Sequence, residues 1–206
     1  MFSGYYINLD SRPDRNNHFE NLKNKYSFLN NVERFSACTH ENGSIGCGLS
    51  HIEVLKKCLE KDEPAFLICE DDLTILNEEH FINMSKNLVL DSDWDIITLT
   101  PRGEKVLGDE LPGEFIRIQN NQTTTGYIIK KHMIPILIAN LENAIQGLSQ
   151  RGDPNKYSID QYWKRLQVKY KFYYYKYIYA GQLVGYSDIE QRMVDYNQRF
   201  LLQPNY

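Results

Sequence analysis

The chain has 206 residues, 42% hydrophobic and 24% charged, which suits one folded domain spanning residues 1–206 with a substantial core. A net charge of −4 gives no overall attraction for nucleic acid or an anionic membrane, yet leaves room for a local basic pocket that holds a phosphate. No basic leader, long apolar segment or C-x-x-C pair occurs, so the expectation is a cytoplasmic protein, peripheral to a membrane at most, with buried free thiols at Cys38, Cys47, Cys58 and Cys69 and no zinc site.

Tyr5 to Leu9 is a short apolar run that stops at Asp10-Ser11-Arg12-Pro13, the pattern of a buried strand and turn. Pro13 suits the start of a helix whose apolar face continues through Phe19 and Leu22. Val32 to Phe35 predicts a second strand. Ile45, Leu49, Ile52 and Leu55 recur at helical spacing, with Gly43 or Ser44 as the cap. Pro64 to Cys69 is the clearest buried strand and runs into Glu70-Asp71-Asp72. Asp95 to Leu99, Phe115 to Ile118 and Gly126 to Ile129 predict further strands. A helix is expected from Met133 to Leu148, with Pro135 in its first turn, then a mobile loop from Gly147 to Asn155. Ser158 opens a short helix through Leu166, and Lys171 to Tyr179 is strand-like. Strands alternating with helices indicate an α/β fold with a mostly parallel sheet, to which the later strands add an antiparallel part.

Four segments carry chemistry. Glu70-Asp71-Asp72 places like charges side by side at the end of a buried strand, where ligands of open α/β sheets gather. Such a cluster suits a hard cation, manganese or magnesium, or else forms a solvated acidic turn. Asn8-Leu9-Asp10-Ser11-Arg12-Pro13-Asp14-Arg15 brings two arginines that pair either with phosphate or with acids. Gly46-Cys47-Gly48-Leu49-Ser50-His51 reads as a helix start whose amides approach an anion, or as a merely glycine-punctuated helix start with a satisfied histidine. Asp160 lies near a helix start, as a favourable charge there or as a general base beside Tyr162 and Trp163, whose rings would pack on a sugar. The helix start should lower its pKa.

Taken in order, these segments resemble glycosyltransferase family 25. Tyr6 to Arg15 resembles the family's opening strand and its Asn-Leu…Arg…Asp-Arg segment. Ile45 to His51 resembles its Gly-Cys…Ser-His element, and Ile68 to Leu73 its Glu-Asp-Asp metal motif. Asp93 to Ile97 and Thr124 to Ile129 resemble later strands, Asp160-Gln161-Tyr162 an Asp-Glu-Phe-like element, and Gly185 to Ile189 the closing Ser-Asp segment. The chain departs from the family at Ser44, where an acid is frequent, and at Gly181-Gln182, near which collagen-type members carry a histidine. The stretch between Phe35 and Gly46 is short for the family.

The resemblance implies a GT-A fold, a Rossmann-like mixed sheet flanked by helices. It implies inverting, metal-dependent transfer of a hexose, galactose ahead of glucose, from a UDP-sugar to a hydroxyl of a glycan or glycoconjugate. On this reading Glu70, Asp71 and Asp72 hold manganese or magnesium. Asn8, Leu9, Arg12, Arg15, Ser50, His51, Glu70, Asp71, Ser187 and Asp188 line the donor site, and Asp160 is the base. The competing readings are a non-catalytic sugar-nucleotide or glycan-binding module, and nucleic-acid binding through Lys169 to Lys176. The acidic net charge favours an aromatic core strand for that last segment.

Overall fold

The structure is a computed structural model that describes residues 2–197. Residue 1 and residues 198–206, the ends of the expected single domain, lie outside the described residues. The chain runs β1 (Ser3–Asn8), α1 (Pro13–Lys25), β2 (Val32–Ser36), α2 (Gly43–Leu59), β3 (Ala65–Glu70), β4 (Leu73–Ile75), α3 (Glu78–Asn87), β5 (Ile96–Thr98), β6 (Glu104–Leu111), β7 (Phe115–Gln119) and β8 (Gly126–Lys130). It continues through α4 (Ile134–Arg151), α5 (Pro154–Tyr157), α6 (Ile159–Tyr162), α7 (Lys164–Gln167), β9 (Phe172–Tyr175), β10 (Ala180–Gln182), β11 (Gly185–Ser187) and β12 (Arg192–Val194).

An eight-stranded sheet has the order β2-β1-β3-β8-β5-β9-β7-β6. The joins β2–β1, β1–β3 and β5–β9 are parallel, whereas β3–β8, β8–β5, β9–β7 and β7–β6 are antiparallel. The sheet is therefore mixed throughout rather than mostly parallel. β8 is inserted against the direction of both its neighbours, an arrangement that an apolar run does not encode because side-chain alternation is the same in either direction.

Successive strand residues feed opposite faces. Tyr6, Leu67, Cys69, Ile97, Ile128 and Tyr173 pack on one side with Phe19 of α1 and Phe81 and Met84 of α3. Tyr5, Ile7, Phe66, Ile68, Ile96, Ile129 and Phe172 pack on the other with Ile52 and Leu55 of α2 and Leu137 and Leu141 of α4. Cover on both faces explains why these strands read as unbroken apolar runs. The aromatic segment after Lys171 is such a strand, with Phe172, Tyr173 and Tyr175 buried.

The helix boundaries follow local chemistry. Pro13 occupies the first position of α1, where its missing N–H is not needed. α2 is capped by Asn42, whose side-chain oxygen accepts from Ser44 N at 3.0 Å and Ile45 N at 3.4 Å, so the cap lies just before the expected Gly43 or Ser44. α4 runs on to Arg151 and stops at Gly152, which takes the left-handed conformation at φ 64°. The expected loop from Gly147 is thus largely helix. Gly147 is buried, and a Cβ there would come within 2.0 Å of the Tyr157 ring, so the glycine admits that ring rather than marking a hinge.

Candidate functional site

A cleft of about 800 Å³ opens at the carboxyl ends of β1 and β3, bounded by the first turns of α2, by α5 and α6, and by the turn between β11 and β12. This is where an open α/β sheet gathers ligands, because the parallel strands end together there and the chain leaves the sheet. Leu9, Arg15, Ser50, His51, Glu70, Asp71, Asp72, Asp160, Ser187 and Asp188 all line it. Residues far apart in sequence are thereby brought to one wall-to-wall space.

The three acids at the end of β3 have different partners. Glu70 ends the strand, with Oε1 accepting from the Thr124 hydroxyl at 2.8 Å and lying 3.4 Å from His51 Nε2. Burial raises its pKa, but His51, Thr124 and Arg15 outweigh burial and hold it below the usual range. Asp71 accepts from Asn8 Nδ2 at 2.7 Å and from Arg15 Nη1 at 3.1 Å. Burial nevertheless leaves its pKa raised.

Asp72 is held least well. Its Oδ2 accepts from Gln182 Nε2 at a long 3.3 Å and stands 3.6 Å from Arg15 Nη1, while its Oδ1 is buried with no hydrogen-bond partner among the described residues. Burial and the charge of Glu70 push its pKa up to about 7. An orphaned buried carboxylate oxygen costs free energy unless a cation or proton meets it.

The arginines divide. Arg15 lines the cleft and also donates to Tyr186 O at 2.8 Å. Arg12 lies outside the cleft lining, held by Asp14 at 2.8 Å and by Asp188 at 2.5 Å. Together they tie the β11–β12 hairpin to α1. At its far end, Ile189 Cγ1 lies 3.2 Å from where a Cβ on Gly43 would stand, so the hairpin reaches the start of α2. Asn8 is buried and acts through its neighbours, donating to Asp71 and accepting from Arg34 Nε at 2.9 Å.

The Gly-Cys element is placed differently from the anion-binding expectation. α2 begins before it, so Gly46 and Gly48 stand inside the helix. A Cβ on Gly46 would meet Cys38 O at 2.9 Å, and one on Gly48 would meet Ile145 and Ile159 side chains at 3.0 Å. These glycines permit close packing. Ser50 donates to Gly46 O and accepts from Cys38 N, each at 2.8 Å, so its hydroxyl clamps the segment after β2. His51 is buried, with Nδ1 3.0 Å from the Tyr127 hydroxyl.

Asp160 lines the cleft from α6. Its pKa is raised to about 6, where a lowered value was expected. Burial and the charge of Glu70 dominate, and Lys164, the Gln161 N–H and Arg102 only partly offset them. A helix of four residues has too few aligned peptides to reverse that balance. The neighbouring rings are not cleft walls. Trp163 is fully buried, donates Nε1–H to Asn121 O at 2.7 Å and packs edge-on against Tyr127 and Phe172. Tyr162 stacks on Tyr157 and carries the Arg165 guanidinium 3.4 Å over its ring.

Sequence reasoning gave no role to Thr124, Tyr127 or Gln182, which orient Glu70, His51 and Asp72. Thr124 and Tyr127 carry no local signal, being ordinary residues at the start of a buried strand. Gln182 stands near the point where collagen-type members of the family carry a histidine, and that departure was its only mark.

The profile of glycosyltransferase family 25 (LPS biosynthesis protein) matches residues 41–163. The chain belongs to this family. The matched stretch carries the Gly-Cys element, the three acids and Asp160, all of which line or border the cleft, while Leu9, Arg15, Ser187 and Asp188 join it from outside that stretch. No curated protein matches the family 25 chain by sequence. Among solved structures, a glycosyltransferase involved in the glycosylation of the major capsid of PBCV-1 is similar at 13% identity and TM-score 0.48, over 77% of this chain and 71% of that one. A197 from STIV is similar at 13% identity and TM-score 0.46, over 94% and 93%. The UTP-bound UGPase from Acinetobacter baumannii is similar at 15% identity and TM-score 0.39, over 84% and 69%. The mixed sheet flanked by helices is the architecture expected for the family 25 chain. Among the described residues no helix is long and apolar enough to cross a membrane.

Proposed function

We propose that this family 25 glycosyltransferase moves a hexose, galactose ahead of glucose, from a UDP-sugar to a hydroxyl of a glycan or glycoconjugate, with inversion at the anomeric carbon. The observation that carries the reading is the pairing, across one cleft, of a cation-seeking acid with a basic one. Asp72 presents a buried oxygen without a partner among the described residues, and Asp160 lines the same cleft from another element with its pKa raised to about 6.

Asp72, with Glu70 and Asp71 beside it, fits a hard divalent cation such as manganese or magnesium, whose ligands are carboxylate oxygens. The chemistry such an ion supplies is charge neutralisation at a diphosphate leaving group. Arg15 adds a positive charge from the protein itself, next to the same acids. Leu9, Ser187 and Asp188 contribute lining of the donor side, Asn8 and Arg12 act through Asp71 and Asp188, and Ser50 and His51 shape the wall.

Asp160 accepts the proton of the acceptor hydroxyl as that oxygen attacks the anomeric carbon from the face opposite the diphosphate. A pKa of about 6 makes it a stronger base than an ordinary aspartate while leaving it ionised at neutral pH. The leaving nucleotide is already anionic, so no second carboxyl acting as an acid is required, in contrast to glycoside hydrolysis.

Proton NMR of reactions holding the protein, manganese, UDP-galactose and a panel of glycan acceptors tests this reading. The expected product is a β-galactoside with release of UDP. Binding of the nucleotide sugar with neither transfer nor slow donor hydrolysis would instead favour the non-catalytic module.

A further inference from the structure

Cys47 has no part in the carboxylate set. It lies four residues before His51 on α2, so both side chains leave one face of the helix, and Glu70 meets them from the end of β3. Cys47 Sγ, a His51 ring nitrogen and a Glu70 carboxylate oxygen all lie within 4.8 Å of one another. His51 Nε2 and Glu70 Oε1 stand 3.4 Å apart. All three residues line the cleft, so an ion has a path to them.

The spacing suits zinc. Tetrahedral zinc bound at roughly 2.0–2.3 Å separates its ligands by roughly 3.3–3.8 Å. The widest gap therefore closes with a side-chain shift of about an ångström. Partners outside the trio already orient two of its members. Tyr127 meets His51 Nδ1 at 3.0 Å, and with the proton on Nδ1 the Nε2 lone pair is directed to the cluster. Thr124 donates to Glu70 Oε1 at 2.8 Å. A ligating histidine and carboxylate held by such second contacts are what metal centres use. The lack of a C-x-x-C pair argues against finger-type frameworks, whereas a Cys-His pair one helical turn apart needs none.

We propose that Cys47, His51 and Glu70 form a site for a thiophilic divalent cation, zinc above all, distinct in chemistry from the oxygen set at Asp72. Thiolate and imidazole select zinc over manganese and magnesium, which prefer oxygen. On binding, the Cys47 thiol proton passes to solvent and the sulfur enters as thiolate. Three protein ligands leave the fourth position open to water. Because Glu70 is shared, zinc here withdraws that carboxylate from the Asp72 set. That consequence rests on the transferase reading, whereas the site itself does not.

Cobalt(II) titration of the metal-free protein tests the site without any turnover. One equivalent should produce an intense near-ultraviolet thiolate-to-cobalt band that one equivalent of zinc removes. Cys47→Ser should lose the band and weaken zinc binding at least about a hundredfold, the upper end of what losing even a second-shell partner costs. Cys38→Ser should keep the band. Zinc K-edge X-ray absorption on the unmutated chain gives a readout independent of variant folding, with one sulfur among nitrogen and oxygen ligands expected. No cobalt band, a band that survives Cys47→Ser in a folded variant, or a zinc shell without sulfur would overturn the proposal.

Discussion

Arg15 Nη1 stands 3.6 Å from Asp72 Oδ2 while hydrogen-bonded to Asp71 Oδ1 at 3.1 Å, so the protein keeps its own positive charge beside the acid best placed to take a cation. A metal ion bound at Asp72 would therefore compete with the guanidinium for the same negative field. A bound diphosphate would relieve that competition by giving Arg15 a second partner. Arg15→Ala should accordingly tighten manganese binding by a few-fold and weaken UDP-sugar binding by about tenfold or more, since a charged hydrogen bond contributes about 1.5–3 kcal/mol. Calorimetry with each ligand separately checks both signs. Weaker manganese binding in the variant would show that Arg15 supports the cation rather than opposing it.

Asp72 is the acid on which hard-cation binding should depend most. Asp72→Ala should abolish manganese-dependent transfer while leaving the fold intact, because among the described residues its side chain has one long hydrogen bond and a 3.6 Å contact with Arg15 to lose. Circular dichroism and activity assays run together separate these effects. Activity equal to that of the unmutated protein in the presence of a chelator would remove the metal from the reading.

The same carboxyl sets a pH dependence of stability. The folded-state pKa of Asp72 is raised to about 7, above the model-peptide value of roughly 3.9. A raised acid contributes stability that is complete below its unfolded pKa and is lost as pH rises through the folded one. Asp160, raised to about 6, acts in the same direction. The metal-free protein should therefore be less stable at pH 8 than at pH 5.5, and Asp72→Asn should flatten that slope. Manganese should raise the melting temperature more at pH 8 than at pH 5.5, because protons compete for the same oxygens. Thermal melts across this range, with and without manganese, would contradict the assignment if the slope ran the other way.

Asp160→Asn should leave UDP-sugar and manganese affinity near wild type and lower turnover by at least about a hundredfold, the scale of general-base loss. The rate should fall as pH drops through about 6, where Asp160 takes up its proton. If donor binding collapses and turnover of bound donor does not, Asp160 is a binding residue and the base moves to Asp188. That acid is already paired with Arg12 at 2.5 Å.

Trp163 supports the site from behind rather than from within it. Its ring is fully buried between Tyr127 and Phe172, and its N–H is satisfied by Asn121 O. Trp163→Ala should cost about 3–5 kcal/mol of stability through the cavity it leaves. Chemical denaturation measures that loss. A variant of unchanged stability with a raised KM for acceptor would restore the sugar-stacking role expected from its position beside Asp160.

The sequence by itself determined the elements that apolar periodicity writes locally. β1, β3, β8 and the long α2 and α4 carry their apolar residues at the spacing their burial demands, and the acids of Glu70 to Asp72 could be placed at a strand end for that reason. The order of the family's motifs was also legible, since it needs no coordinates. Strand direction was not, because antiparallel β8 alternates its side chains as a parallel strand would. The short β10, β11 and β12 have three residues each, too few for a period to register. Above all, the electrostatics of the acids belonged to the tertiary structure. Local sequence suggested that a helix start would lower the Asp160 pKa, yet burial and the charge of Glu70, brought in from the end of β3, raise it. Whether Asp72 keeps an oxygen without a partner, and whether Cys47 and His51 meet Glu70, depends on distances between elements, and those are set only when the sheet and helices pack.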